Sequence, residues 1–446
     1  MKMESIHTHY TNNMIATLII SILTCVLLIL SILFFPKVKV FNKELSTYWI
    51  ICLFGSLLIL CLNLVSFDSV INEFFSSSSI NPLKILILFF SMTFLSIFLD
   101  EVGFFRFLAS FLILKCKTNQ KSLFLLMYGM VAILTIFTSN DIVILTFTPF
   151  ICYFAKNANI NPIPYLVAEF SAANTYSMML IIGNPTNIFL ATSVNIDFIN
   201  YLKVMFLPTT LAGIAQLAIL LLIFHNNLKK EIKVDVEVKK VKSKLDLVMG
   251  LGHLSVCLLL LVVSSYINIS MWVVCLICAL SLLISILSIH LIRHKKLKII
   301  FKTLKRLPYE LIPFVLSMFI IVLALKQQGI TSYISDILGE ENVILRYGVT
   351  SFFACNLINN IPMSVLFANI PNMVDTTLYL KSIYSIIIGS NIGAFLTPIG
   401  ALAGIMFTDL LNRQQVEYNF TRFIKYGMII AIPTLLVALI TLNFMI

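Results

Sequence analysis

Charge is scarce in this sequence. Asp, Glu, Lys and Arg make up 11% of its residues, where soluble domains carry about a quarter. Hydrophobic residues make up 59% and the mean hydropathy is +1.00, which excludes a soluble globular domain of 446 residues. The composition is that of a polytopic helical membrane protein, whose first partner is the lipid bilayer. There is no glycine-rich phosphate loop ending in lysine and a hydroxyl residue, so ATP hydrolysis by the chain itself is excluded. No nucleophile with an adjacent base stands out, and an enzyme is not expected. The nine cysteines are scattered and imply no disulfide framework. Cys275 and Cys278 form a CxxC inside an apolar run, a place that argues against zinc or redox chemistry. The six histidines have no metal-ligand spacing, so neither metal nor cofactor is expected, and His253 reads as a packing or hydrogen-bonding residue. The first dozen residues are polar and the run from Met14 to Phe35 is too long for the core of a cleavable signal.

What is present is apolar length. Ten runs can cross a bilayer: about 13–35, 47–66, 82–99, 163–192, 202–224, 246–265, 269–292, 307–327, 377–404 and 423–446. Two further regions are interrupted. The region 122–155 is broken at Ser139, Asn140 and Asp141, and its second arm, Ile142 to Ala155, is too short to span. The region 343–370 is broken at Asn359 to Pro362, with arms expected to be shorter still. Both read as re-entrant hairpins, with polar tips buried in protein. The piece 101–114 reads as an interfacial helix.

The net charge of +11 does not indicate a nucleic-acid partner, because the basic residues cluster in loops beside apolar runs. The loop 226–245 carries seven lysines, and 293–306 is similarly basic. Placing both in the cytoplasm also puts Lys37, Lys39, Lys43, Lys115, Lys117, Lys121, Arg413, Arg422 and Lys425 inside, and both termini outside. The plasma membrane is the expected location. The basic loop reads as a solvated tether, with docking of a soluble ATPase as the alternative.

The chain also matches itself. Gly103 aligns with Gly329, Asp141 with Asn360, Asn174 with Asn391 and Gly183 with Gly400, at offsets of 217 to 226. The expected architecture is all-α, with two inverted repeats, 1–225 and 246–446, joined by the linker 226–245. Each repeat has five spans and one hairpin; the broken helices are 163–192 and 377–404. Matched breaks in inverted halves point to a secondary transporter's binding site. Proline and glycine open the backbone there, and unmet peptide groups would be costly in lipid.

At these residues the sequence resembles the superfamily of arsenite permeases, sodium/proton antiporters and divalent-anion/sodium symporters. "TSNDIVILTFTPF", "NLINNIPMSVLF" and "GSNIGAFLTPIGALAGIMF" resemble the arsenite-permease and citrate-transporter-like branch. "LIIGNPTNIFLA" is nearer to the wider superfamily. The tips lack the serine–asparagine–threonine of the dicarboxylate symporters. The resemblance implies exchange of the site between membrane faces by an elevator or rocking motion, and in many members a homodimer.

The candidate substrate or ion site comprises Ser139, Asn140, Asp141, Asn174, Gly183, Asn184, Thr186, Asn187, Asn359, Asn360, Asn391, Thr397 and Gly400. Asp141 is the sharpest candidate, since a carboxylate at membrane depth marks an ion or proton pathway, although it could cap the second arm. Glu169 could bind a cation, carry a proton or pair with Lys326. Asp100, Glu101 and Arg106 read as solvated or snorkelling groups. The expected function is a permease for a small anion or its neutral acid, arsenite-like or a small carboxylate, coupled to protons or sodium. Sodium/proton antiport by Asp141 and Glu169 is the alternative, and an intramembrane enzyme or binding module a remote one.

Overall fold

In a computed structural model the described residues are 2–35, 37–40, 43–75, 81–115, 119–229, 241–267, 269–294 and 296–446. Most of the expected basic linker, residues 230–240, lies outside them. The chain opens with α1 (Lys2–Phe34) and a ribbon of β1 (Lys37–Val40) and β2 (Lys43–Ser46), with Lys37 opposite Ser46. This ribbon corrects the all-α expectation. Next come α2 (Thr47–Cys61) and α3 (Phe67–Phe75). The series α4 (Pro82–Val102), α5 (Phe104–Lys115), α6 (Gln120–Phe137), α7 (Asn140–Asn157), α8 (Ile163–Tyr176), α9 (Pro185–Ser193) and α10 (Phe198–Phe224) follows. After α11 (Lys244–Ile267), α12 (Met271–Ile292) and α13 (Lys298–Lys305) comes a series in similar order. It runs α14 (Leu311–Gln327), α15 (Ile330–Leu338), α16 (Val343–Ile358), α17 (Asn360–Phe367), α18 (Thr376–Gly393), α19 (Leu402–Arg413) and α20 (Phe420–Asn443). In both series a long helix meets a short one at a glycine of positive φ, Gly103 at 94° and Gly329 at 75°.

Local chemistry sets many of the starts. Asn81 Oδ1 accepts from the amides of Leu83 and Lys84, with Pro82 at the first helical position. Asn119, Asp197, Asp375 and Asn419 cap α6, α10, α18 and α20 in the same way.

Among the described residues, seven helices are long and apolar enough to cross a membrane, or eight if α14 and α15, bent by 75°, count as one. Ten runs do not therefore mean ten straight spans. Two of them fall short, α2 with 15 residues and α14 with 17, and 163–192 and 377–404 are each divided by a break, as expected. Conversely α6, assigned to a hairpin, passes the test for a span. Its partner α7 also has 18 residues, about 27 Å at 1.5 Å per residue, because it starts at Asn140 and continues to Asn157. The short-arm argument thus fails for the first hairpin. In the second, the arms are uneven, 16 residues in α16 and 8 in α17.

The helices pack as two groups. One contains α1, α2 and α14, with α4 set against α11, α12 and α13. The other joins α6 to α10 with α16 to α20, so that helices distant in sequence meet: α10 on α20, α9 on α17 and α18, α7 on α19. Phe170 of α8 stacks on Phe407 of α19 with ring centroids 4.6 Å apart.

Asp100 and Glu101 correct a second expectation. Both are buried rather than solvated. Arg306, just after α13, lies 2.6 Å from Asp100 Oδ2 and 2.7 Å from Glu101 Oε1 through Nη1, while Lys242 Nζ lies 3.8 Å from Glu101 Oε2. Two carboxylates at the end of α4 are therefore neutralised by cations from the second half of the chain. His253 fits its expected role: Nδ1 lies 2.8 Å from Met249 O and Nε2 3.2 Å from Ser281 Oγ.

Leaving two buried carboxylates with one distant lysine should be severe. Arg306→Gln is expected to destabilise the protein by about 3 kcal/mol or more, read as a lower melting temperature in detergent. Adding Asp100→Asn and Glu101→Gln should restore much of that loss, because the cost comes from unpaired charge rather than lost packing.

Candidate functional site

The first break follows α8. Two short 3-10 turns, Ser177–Met179 and Ile181–Gly183, precede an extended Asn184, and α9 begins at Pro185. Asn184 Oδ1 accepts from the Thr186 amide at 3.2 Å. Asn187 Nδ2 donates to Ser177 O at 2.8 Å and to Leu180 O at 3.1 Å, the latter also taking the Gly183 amide at 3.1 Å. The backbone closes so tightly here that a Cβ on Gly183 would lie 2.2 Å from Ser177 O.

The second break, between α18 and α19, has the same logic with other donors. Asn359 Nδ2 donates to Ile399 O at 2.9 Å, and the Asn360 amide to Gly400 O at 3.0 Å. Asn356 Nδ2 donates to Gly393 O at 2.9 Å, while its Oδ1 accepts from Thr397 N at 3.1 Å and Thr397 Oγ1 at 2.7 Å. A Cβ on Gly400 would lie 2.7 Å from that Oδ1. Asn359 itself has φ 71°, an uncommon conformation for a residue with a side chain, and caps α17 by accepting from Ile361 N.

The two breaks meet at Asn391. Its Nδ2 donates to Asn187 Oδ1 at 2.6 Å, and its Oδ1 accepts from Asn184 Nδ2 at 2.9 Å. Ser177 Oγ lies 2.9 Å from the same Oδ1 and 2.8 Å from Asn174 O. Asn174 Oδ1 in turn accepts from Asn140 Nδ2 at 3.1 Å. One buried amide network thus joins Asn140, Asn174, Asn184, Asn187 and Asn391. Asn359, Asn360, Thr397 and Gly400 belong to a second set around Asn356. Many of these amides are occupied in holding the breaks. The polar atoms left buried and without a partner include Asn140 Oδ1, Thr186 Oγ1 and Ser390 Oγ.

The acids separate. Asp141 is half-buried and sits in the first turn of α7, whose N-cap is Ser139, so the capping alternative is not what its position provides. It lines a cavity of about 610 Å³ shared with Lys37, Ser46, Tyr48, Glu310 and Asp409. Glu169 is fully buried. Thr148 Oγ1 donates to it at 3.0 Å, and among the described residues it makes no ion pair with Lys326. The gap beside it, among Phe124, Met127, Tyr128 and Tyr165, has no room for water. Asp141 thus lines this cavity, and Glu169 does not.

Several participants escaped the sequence reading. Ser177 and Asn356 are central to the two sets of bonds, Ser177 within the first break and Asn356 at the start of "NLINNIPMSVLF". Their signal was position: a hydroxyl within the first break, and an amide three residues before the Pro-containing tip. Glu310 had no local signal, because its partners come from the ribbon and α2.

Paired helix breaks, cross-linked by amides in the interior of a polytopic helical protein, define the class: a membrane transporter rather than an enzyme. A family model described as citrate transporter (CitMHS) matches residues 38–376, and the chain belongs to that family. It is 25% identical over 375 residues to an arsenical pump membrane protein of Escherichia coli (strain K12), covering 79% of this chain and 84% of that protein. A putative arsenical pump membrane protein of Bacillus subtilis (strain 168) is 24% identical over 387 residues, covering 78% and 85%. In structure, the chain resembles the YdaH transporter of Alcanivorax borkumensis with a TM-score of 0.55, covering 96% of this chain and 97% of that one. At 12% identity the likeness is one of fold alone.

The glycine geometry can be tested directly. Gly183→Ala and Gly400→Ala are each expected to abolish transport, since the added Cβ meets backbone or a hydrogen-bonded amide. Gly252→Ala, where nothing lies within 4 Å, should transport normally at equal expression. Asn391→Ala should lower the melting temperature as well, because it strands buried donors and acceptors at about 1–3 kcal/mol each.

Proposed function

We propose that this protein is a secondary-active permease of the plasma membrane. It moves a small anion or its neutral acid, arsenite-like or a small carboxylate, coupled to protons or sodium. The observation that carries the reading is Asp141: a carboxylate at a helix break, next to the amide network through Asn140, and at the wall of a 610 Å³ cavity. An acid with access to solvent and to the amide-lined core can couple a charge to cargo. Amides that donate and accept suit hydroxylated cargo such as arsenious acid, which is neutral at neutral pH. The arsenical pump relatives support that cargo class, and the family description supports a carboxylate.

The architecture proposed with it is two inverted repeats, 1–225 and 246–446, with hairpins at about 122–155 and 343–370. It is supported by the recurring order of α4 to α10 in α14 to α20, and by one sidedness for all lysine and arginine clusters. That sidedness puts both termini outside the cell and the linker 226–245 in the cytoplasm, as a tether rather than an ATPase dock. An elevator or rocking exchange and a homodimer complete the proposal, on family likeness. Sodium/proton antiport is the second reading. It is disfavoured by Glu169, whose partner is Thr148 and beside which the gap has no room for water.

The deciding experiment is proton flux in proteoliposomes under an imposed pH gradient, adding arsenite, a dicarboxylate, then sodium. Arsenite, or the carboxylate at a pH where its neutral acid is present, is expected to move protons in the wild type, and Asp141→Asn to fall to the protein-free rate. Collapse of the gradient by sodium alone would replace the permease with an antiporter.

A further inference from the structure

The cavity that reaches Asp141 has a charge balance that the permease reading does not use. Its charged lining groups are Lys37, Asp141, Glu310 and Asp409. Lys37 Nζ lies 3.4 Å from Asp409 Oδ2, which also takes Arg413 Nη2 at 2.8 Å. That acid is matched, and the one lining cation is committed to it. Asp141 and Glu310 have no cation within ion-pair distance among the described residues.

Glu310 is also held in place. It precedes the first residue of α14, with Oε1 3.2 Å from the Ser46 amide at the end of the ribbon and Oε2 3.4 Å from Tyr48 Oη on α2. The Tyr48 ring is fixed in turn, edge-on to Phe314 with centroids 5.0 Å apart. Three elements thus aim one carboxylate at the space that leads to a second. Two uncompensated like charges in a cleft with apolar walls, here Leu307, Pro308, Leu402, Ile405 and Met406, focus their field into it.

We infer that Glu310 is a specificity-determining residue that, together with Asp141, makes this vestibule a charge filter. It admits cations and neutral hydroxy acids to the amide core and excludes multivalent anions. The inference rests on the reading that the cavity is the path to the transport site, and it narrows the cargo: an acid passes in its neutral form, and a fully ionised di- or tricarboxylate is turned away. Because Glu310 bonds a backbone amide and a phenol, glutamine preserves its place and removes only its charge.

The test reads electrostatics without depending on the cargo. Thr408 lines the cavity, and Thr408→Cys in the full chain offers a thiol there. Its modification is timed with a trimethylammonium methanethiosulfonate, the sulfonate analogue and a neutral alkyl one. Each rate is normalised to that reagent's rate with free 2-mercaptoethanol, and the chain without Thr408→Cys serves as blank because Cys61 is exposed. The cationic reagent is expected to react roughly tenfold or more faster than the anionic one, with the ratio shrinking as salt is raised. Glu310→Gln, and separately Asp141→Asn, should cut the ratio severalfold while leaving the neutral reagent's rate unchanged. In proteoliposomes Glu310→Gln should let an ionised dicarboxylate compete where it did not before. A ratio near one, or a ratio that Glu310→Gln does not move, overturns the filter. If the ratio behaves as expected and arsenite still moves no protons, the filter stands and the proposed cargo falls.

Discussion

A peptide group at membrane depth cannot go unpaired, and the rest of this structure depends on that constraint. Each unmet amide or carbonyl costs several kcal/mol in hydrocarbon. A chain that breaks two helices there has to bring its own partners. It does so with asparagine, whose side chain carries both donors and an acceptor and can replace the missing turn. Asn187 serves the carbonyls of Ser177 and Leu180, Asn359 that of Ile399, and Asn356 that of Gly393. The breaks are therefore closed motifs. Asn391 then ties them together across about half the length of the chain, bonding to Asn184 and Asn187.

That closure limits what the amides can offer a cargo. A group holding a helix end in place is not free to bind a passing molecule without releasing something. The buried atoms with spare capacity, such as Asn140 Oδ1, Thr186 Oγ1 and Ser390 Oγ, lie beside the structural amides. In the proposed permease this arrangement would separate rigidity from recognition, with the network fixing the geometry and a few unpaired oxygens left beside it. The charged groups are similarly divided. Asp100 and Glu101 are locked by Arg306 at a junction between the halves, Glu169 is sealed by Thr148, and Asp141 alone of these acids lines the 610 Å³ cavity.

Much of this was legible in the sequence, and for identifiable reasons. Glycine, proline and asparagine inside apolar runs violate the local rules for a membrane helix, and such violations survive only where something depends on them. Hence the two breaks and nearly all their amides could be found by spacing alone. What stayed hidden involved partners remote in sequence. Asp100 and Glu101 looked solvated because Arg306 is about two hundred residues away. Glu310 had no signal in the sequence because Ser46 and Tyr48 approach from elements over 260 residues earlier. Helix lengths failed for a different reason: α7 begins at Asn140, inside the polar tip, so counting only apolar residues undercounts the helix.

The asymmetry between the two tips bears on the proposed coupling. Asp141 and Asn360 both lie in the first turn of the helix after a break, Asp141 at the second residue of α7 and Asn360 at the first of α17, yet one is an acid and the other an amide. Had both been acids, two like charges would face one core and oppose each other. Had both been amides, the site would hold polar cargo with no means of linking it to an ion. In the proposed permease, one acid and one amide leave one ionisable group at the two tips, and it lies on the cavity wall. Asn360 is committed through its backbone amide to Gly400 O, and its place in the second break is structural. Of the two tips, the one that carries Asp141 faces the cavity that Glu310 also lines, and the other is tied to the second break through Asn359 and the Asn360 backbone.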